Sequence, residues 1–107
     1  MYRIIFEHCP KPDQEVQFIA QWQWGSDIIQ TYPGARGSKL FRMNGNPGRI
    51  YAMAEWDSKE ARAAAVERIR RERTDADLVL RGHEKYLESH VTLGEFDCVA
   101  ESHPPIN

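Results

Sequence analysis

Four stretches of this sequence, read as β-strands, carry apolar side chains on both of their faces, and that pattern limits the folds open to the chain. Successive side chains on a strand point to opposite faces, and an antiparallel sheet with one wet side alternates apolar with polar residues. Tyr2–His8 (YRIIFEH) places Ile4 and Phe6 on one face and Ile5 on the other. The second stretch sets Leu40 against Phe41 and Met43, and the third sets Ile50, Ala52, Ala54 and Trp56 against Tyr51 and Met53. In the fourth, Val91 to Ala100, the residues Val91, Leu93 and Val99 oppose Phe96 and Cys98. Both faces of such a sheet demand cover, because a monomer seldom exposes a continuous apolar patch beyond roughly a few hundred Å².

The segments between the strands supply cover for one face. From Asp13, a plausible N-cap, to about Tyr32, the apolar residues Val16, Ile19, Ala20, Trp22, Ile28 and Ile29 recur at three- and four-residue steps, which predicts a first helix. Gly25-Ser26 interrupts it and predicts a kink or a close approach, and Tyr32-Pro33-Gly34 ends it, since a residue before proline avoids the α region. Gly45-Asn46-Pro47-Gly48 then joins Arg36–Asn44 to Arg49–Trp56 as an antiparallel hairpin. Asp57, three residues before Glu60, has the spacing of a capping box, and strong helix formers follow from Ala61 to Arg73. Thr74 to Asp77 offers a fresh cap for a short third helix reaching Tyr86 and Leu87.

The resulting order is β, α, β, β, α, a short α, and β. That is an α+β, ferredoxin-like βαββαβ fold with a four-stranded antiparallel sheet, in which right-handed crossovers put the helices on one side. The other face stays open, so the expectation is a homodimer formed through the sheet face. A chain of 107 residues makes one domain, residues 1–101, with 102–107 as a tail closed by Pro104-Pro105. A net charge of −2 from 14 basic and 16 acidic side chains points to no nucleic-acid or anionic-membrane partner. Two cysteines without a CxxC pair suit a reducing compartment. The start resembles no signal peptide and no run approaches the roughly 20 apolar residues of a membrane span, so a cytoplasmic location is expected.

Pro33-Gly34 after a long first helix, the hairpin ending in Ala54-Glu55-Trp56-Asp57-Ser58, and the alanine-rich helix opening Lys59-Glu60-Ala61 together resemble the antibiotic biosynthesis monooxygenase family. The resemblance runs over roughly Tyr2 to Ala100. It implies a dimeric α+β barrel with a pocket in each protomer between sheet and helices. It also implies oxygenation of electron-rich phenolic or quinone-like substrates with O2, without flavin or metal. A related branch degrades haem with an asparagine on the first strand, and YRIIFEH has none.

Cofactor-free oxygenation needs a substrate that gives an electron to O2 once deprotonated, so the protein must supply a base, donors for the anion, and a dry pocket. His83, on the third helix, is the expected base, since imidazole titrates near neutral pH; the alternative is a partly exposed helix histidine. Trp56, ending the third strand, can wall a flat aromatic substrate and donate through its indole N–H, or can simply pin the second helix to the sheet. Trp22 and Trp24, two apart, face different sides of the first helix, so one belongs to the core and the other to a pocket or seam. Tyr51, Tyr86 and Arg42 could hold a phenolate or quinone oxygen, or serve at the surface.

Other chemistries find less support. His8 beside Cys9 is discounted as a nucleophile pair because strand neighbours face opposite ways. His83, Glu84 and His90 lack the spacing of metal ligands on one helical turn, so no metal is expected, and no cofactor either. The run from Glu67 to Arg73 pairs its glutamates with arginines four residues away and reads as a solvated helix face. No GxGxxG, Walker-type loop or GxSxG elbow occurs. Two functions remain open: a cofactor-independent monooxygenase acting on a small aromatic or quinol, and a dimeric ligand-binding or structural module without turnover. An enclosed cavity of about 300 Å³ or more would favour the first, and a solid core the second.

Overall fold

Tyr2–Pro10 (β1) is the strand on which the others assemble, pairing antiparallel with Ile50–Trp56 (β3) on one side and Leu87–Asp97 (β4) on the other. Ala35–Arg42 (β2) pairs with the outer edge of β3, giving the order β2-β3-β1-β4. Glu15–Ile29 (α1), Lys59–Glu72 (α2) and Thr74–Arg81 (α3) complete the elements of this ferredoxin-like α+β fold. The computed structural model describes residues 1–81 and 85–106.

Register turns the sequence pattern into two kinds of row. Facing the helices run Ser38, Ala54, Ile4 and Glu95; then Leu40, Ala52, Phe6 and Thr92; then Arg42, Ile50, His8 and His90. On the outer side run Phe41, Tyr51, Glu7 and Val91, followed by Lys39, Met53, Ile5 and Gly94. The inner rows are sealed by two clusters. Tyr2, Ile4, Ile29, Trp56, Ala65, Ile69 and Ala76 form one, and Phe18, Trp22, Ile50, Ala52 and Leu87 form the other. Phe18, Ile50 and Ile69 are fully enclosed, each contributing about 1.5–3 kcal/mol of burial. The outer rows have no such cover: Phe41, Met43, Val91, Leu93 and Phe96 are 41–51 % exposed.

Several local expectations shift. α1 starts at Glu15 with Gln14 at its N-cap position, because Asp13 adopts a left-handed backbone (φ 64°) and makes no cap. Its buried face is Phe18, Trp22, Gly25, Ser26 and Ile29, whereas Val16 stands exposed; Gly25-Ser26 is thus a point of close approach within a continuous helix. Ser58, not Asp57, caps α2, its Oγ accepting from the Ala61 N–H at 3.0 Å, while Asp57 pairs with Arg36. Leu87 belongs to β4 and is buried there, so the third helix stops earlier than expected. In β4 the pairing steps from Ile5↔Gly94 to Phe6↔Thr92, leaving Leu93 as the extra residue of a bulge. The bulge reverses the alternation, so Val91 and Phe96, expected on opposite faces, share the outer one; Val99 lies beyond the strand.

Gly34 closes the turn into β2 with φ +89°, and its carbonyl accepts from the Asp57 N–H at 2.8 Å. A Cβ there would meet the Ala61 Cβ at 2.7 Å. Gly34→Ala should therefore lower stability in urea unfolding by about 2–4 kcal/mol, through both left-handed strain and overpacking. Gly45→Ala, also left-handed but with nothing within 4 Å, should cost only about 1–2 kcal/mol.

Tyr2 is buried and its phenol donates to Glu95; burial, then the carboxylate, pushes its pKa up from 10.0 to about 12. A group raised in the folded state contributes stability that is intact below its unfolded pKa and lost as pH rises through the folded one. The difference in unfolding free energy between wild type and Tyr2→Phe should thus be constant from neutral pH to pH 10 and shrink between pH 10 and about 12, shrinking also in acid as Glu95, whose pKa that hydrogen bond lowers, takes up a proton. A difference that stays flat across that window would show Tyr2 to titrate normally.

Candidate functional site

Alternation on β1 sends His8 to the same face as Ile4 and Phe6, and the antiparallel register sets His90 of β4 directly beside it. Their rings stack with centroids 5.9 Å apart and planes 23° apart. His8 is only 5 % exposed. Phe18 of α1 lies over it at 5.1 Å and Phe6 flanks it at 6.0 Å. This imidazole pair lines a cavity of about 70 Å³ beneath α1, well short of the roughly 300 Å³ at the lower end of ligand sites.

The rest of the lining comes from every layer of the fold. α1 contributes Trp22 and Ser26, with Gln30 at its end; β2 contributes Ser38; β3 contributes Ala52, Ala54 and Trp56; α2 contributes Arg62. Arg62 reaches inward across the Phe6 ring, its guanidinium 6.0 Å from the centroid. Two indoles, two imidazoles and one guanidinium thus meet apolar walls in one chamber. Chemically, these side chains can stack against an aromatic edge at Trp22 and Trp56, accept a proton at an imidazole, and stabilise an anion through Arg62, in a space too small to enclose a whole ring system.

The expected site residues separate. Trp56 and Trp22 both line the chamber, Trp22 being the inward indole and Trp24 the exposed one. Tyr51 stands on the outer face of the sheet, away from the chamber, where its hydroxyl donates to Glu7 at 2.8 Å. That hydrogen bond raises its pKa, and Arg49 joins the same carboxylate at 3.1 Å. Arg42 lies at the end of β2, its Nε donating to Glu15 of α1 at 2.8 Å. Tyr86 packs half-buried against the Phe18 cluster, below the end of α3. His83, the expected base, lies outside the described residues. Arg62 was not foreseen, and His8 and His90 were weighed only as a discounted nucleophile pair with Cys9 and a discounted metal ligand; a usable signal for His8 was its even spacing from Ile4 and Phe6 on one strand face.

Among the described residues, no group of three or more His, Cys, Asp or Glu side chains is arranged to hold a metal ion. Among them, no helix is long and apolar enough to cross a membrane. Cys9 and Cys98 are not joined in a disulfide.

With this geometry in hand, likeness to known proteins can be placed. The sequence profile of the antibiotic biosynthesis monooxygenase family matches residues 1–72. No curated protein matches the sequence. Among solved structures, SnoaB from Streptomyces nogalater, a cofactor-independent oxygenase, superposes with a TM-score of 0.76 at 12 % identity, over 94 % of this chain and 94 % of its own. A candidate antibiotic biosynthesis monooxygenase from Nitrosomonas europaea reaches 0.74 at 17 % identity, over 94 % of this chain and 100 % of its own. A conserved protein from Methanosarcina mazei reaches 0.72 at 12 % identity, over 89 % of each chain. Likeness at these identities establishes the fold.

Proposed function

Because this chain belongs to the antibiotic biosynthesis monooxygenase family, we propose that it oxygenates a small aromatic or quinol-type substrate with O2, without a bound cofactor, in the chamber beneath α1. The observation that carries this reading is the convergence of Trp22, Trp56, His8, His90 and Arg62 on one apolar cavity. The structural neighbour described as a cofactor-independent oxygenase supports the same direction.

An imidazole takes the acidic proton of the substrate, and the guanidinium of Arg62 steadies the anion that results. That anion passes an electron to O2, the two radicals join as a peroxide anion, and the imidazolium returns its proton to give the substrate hydroperoxide. Loss of water then leaves a ketone, so one CH2 and one O2 become C=O and H2O. The protein's part is to place a base and a cation in a water-poor site and to hold the ring flat between indoles. His8 or His90 serves as the base within the described chamber, and His83, outside the described residues, is the further candidate. Trp56 forms the wall nearest α2.

Oxygen consumption with a panel of quinols and anthrones tests the proposal. Replacing the true base, by His8→Asn, His90→Asn or His83→Ala, should lower kcat by about 10²–10⁴-fold. Equal turnover in wild type and all three variants would remove an imidazole base from the mechanism. One observation favours a second reading, a dimeric module without turnover: the chamber's volume of about 70 Å³. Absence of oxygen uptake across the panel would decide for it.

In either reading a second copy of the chain covers the outer sheet face. Support comes from the uncovered rows carrying Phe41, Val91 and Phe96 beside half-buried Ile5 and Met53. Sedimentation should find a dimer at micromolar concentration, and Val91→Glu, which sets a second carboxylate beside Glu7 in the centre of that face, should weaken dimerisation by more than about tenfold. A wild-type monomer at that concentration would overturn the assignment.

A further inference from the structure

α1 lies along β2, the edge strand, and the two are tied at opposite ends. At one end Arg42 of β2 donates to Glu15 in the first turn of α1 at 2.8 Å. At the other, the Gln30 side chain, at the C-cap of α1, accepts from the Gly37 N–H at 2.8 Å. Gly37 can offer that N–H because it sits in the irregular stretch where β2 breaks register with β3 between Ala35 and Ser38, at φ +106°. Between these ties the helix and the strand stand apart, leaving a cleft of about 540 Å³.

The cleft and the inner chamber share four residues, Trp22, Ser26, Gln30 and Ser38. The two hollows are therefore neighbours, separated along a seam by those side chains. The chamber alone is too small for a ring system, but the two together fall within the roughly 300–1,000 Å³ of small-molecule sites. Walls of the cleft are mixed, Ile19, Leu40 and Phe41 standing beside Lys39 and Ser38, while Gln23 and Asp27 are hydrogen-bonded to each other at 2.9 Å.

We propose that the seam between α1 and β2 is the route into the chamber and a second binding compartment, with Trp22 as the leaf between the two. It takes a planar apolar molecule edge-on, one end in the chamber and the other, bearing a neutral hydrogen-bonding group, against Gln23 and Asp27. The proposal rests on the reading that the chamber is the ligand site. Neither end tie blocks the middle of the seam, so a ligand passes without breaking β2 from the sheet, provided Trp22 turns aside.

Stopped-flow quenching of tryptophan fluorescence by a dihydroxyanthraquinone, in the full-length protein, separates the two claims. Gln23→Phe, an exposed helix position that borders the cleft alone, and Ser38→Phe, which narrows the seam from β2, should each lower the association rate by about tenfold. Gln30→Ala, which cuts one tie, should raise it. Far-UV circular dichroism and urea unfolding verify that the variants are folded, and Gln23→Phe decides should Ser38→Phe fail to fold. Binding by wild type with association unchanged in the folded variants overturns the seam and leaves the chamber reading standing. No quenching in wild type overturns both.

Discussion

β1 is paired on both edges from Tyr2 to His8, so the side chains of that stretch sit in the middle of the sheet. Its alternation therefore decides what both faces of the sheet are made of. Tyr2, Ile4, Phe6 and His8 face the helices, and Arg3, Ile5 and Glu7 face outward. The inward set is closed by Trp56, Ile29 and Ile69 at one end and by Phe18, Trp22 and Leu87 at the other. Polar atoms appear in the outward set only as partners for one another: Arg3 with Glu55, and Glu7 with Tyr51 and Arg49. Such pairs satisfy polar groups on that face without breaking the apolar ground between them.

Within the inward set, His8 departs from the apolar rule. A buried imidazole brings hydrogen-bonding groups into the core that a leucine of similar volume would not. The residue sits beside His90 and across a cavity from Arg62, so its polarity serves the chamber. The same holds for Ser26 and Gln30 on the buried side of α1, where alternating apolar residues would seal the helix to the sheet. Stability given up along this strip leaves room and hydrogen-bonding capacity beneath α1.

How much of this was legible in the sequence follows from which interactions are local. The hairpin and the start of α2 are written in turn and cap chemistry and stand within a residue or two of expectation, while α1 ends at Ile29, three residues short of the expected Tyr32. The two-faced apolar pattern of β1, β2 and β3 was equally plain, because alternation needs only neighbours. The inward face of α1 was harder: Val16, Ile19 and Phe18 compete for it, and tertiary contact with the sheet selects Phe18. Tyr51 and Trp56, five apart on one strand, could not both face one pocket, a constraint that alternation alone implies. The site was the least legible part, since His8 and His90 are 82 positions apart and meet only through the register of β4.

That register depends on one residue. Were β4 to continue from Ile5↔Gly94 without a bulge, Phe6 would pair with Leu93, His8 with Val91 and Cys9 with His90. Val91 and Leu93 would then point at the helices, crowding the chamber, and His90 would turn outward into the apolar rows. Insertion of one unpaired residue at Leu93 restores the opposite arrangement: His90 beside His8 inside, Val91 beside Glu7 outside. Past the bulge, Glu95 faces inward to meet Tyr2 and Lys59, so the strand serves both ends of the inner face at once. Composition of the chamber and composition of the outer face are thus coupled through a single irregularity, and neither can change register without the other.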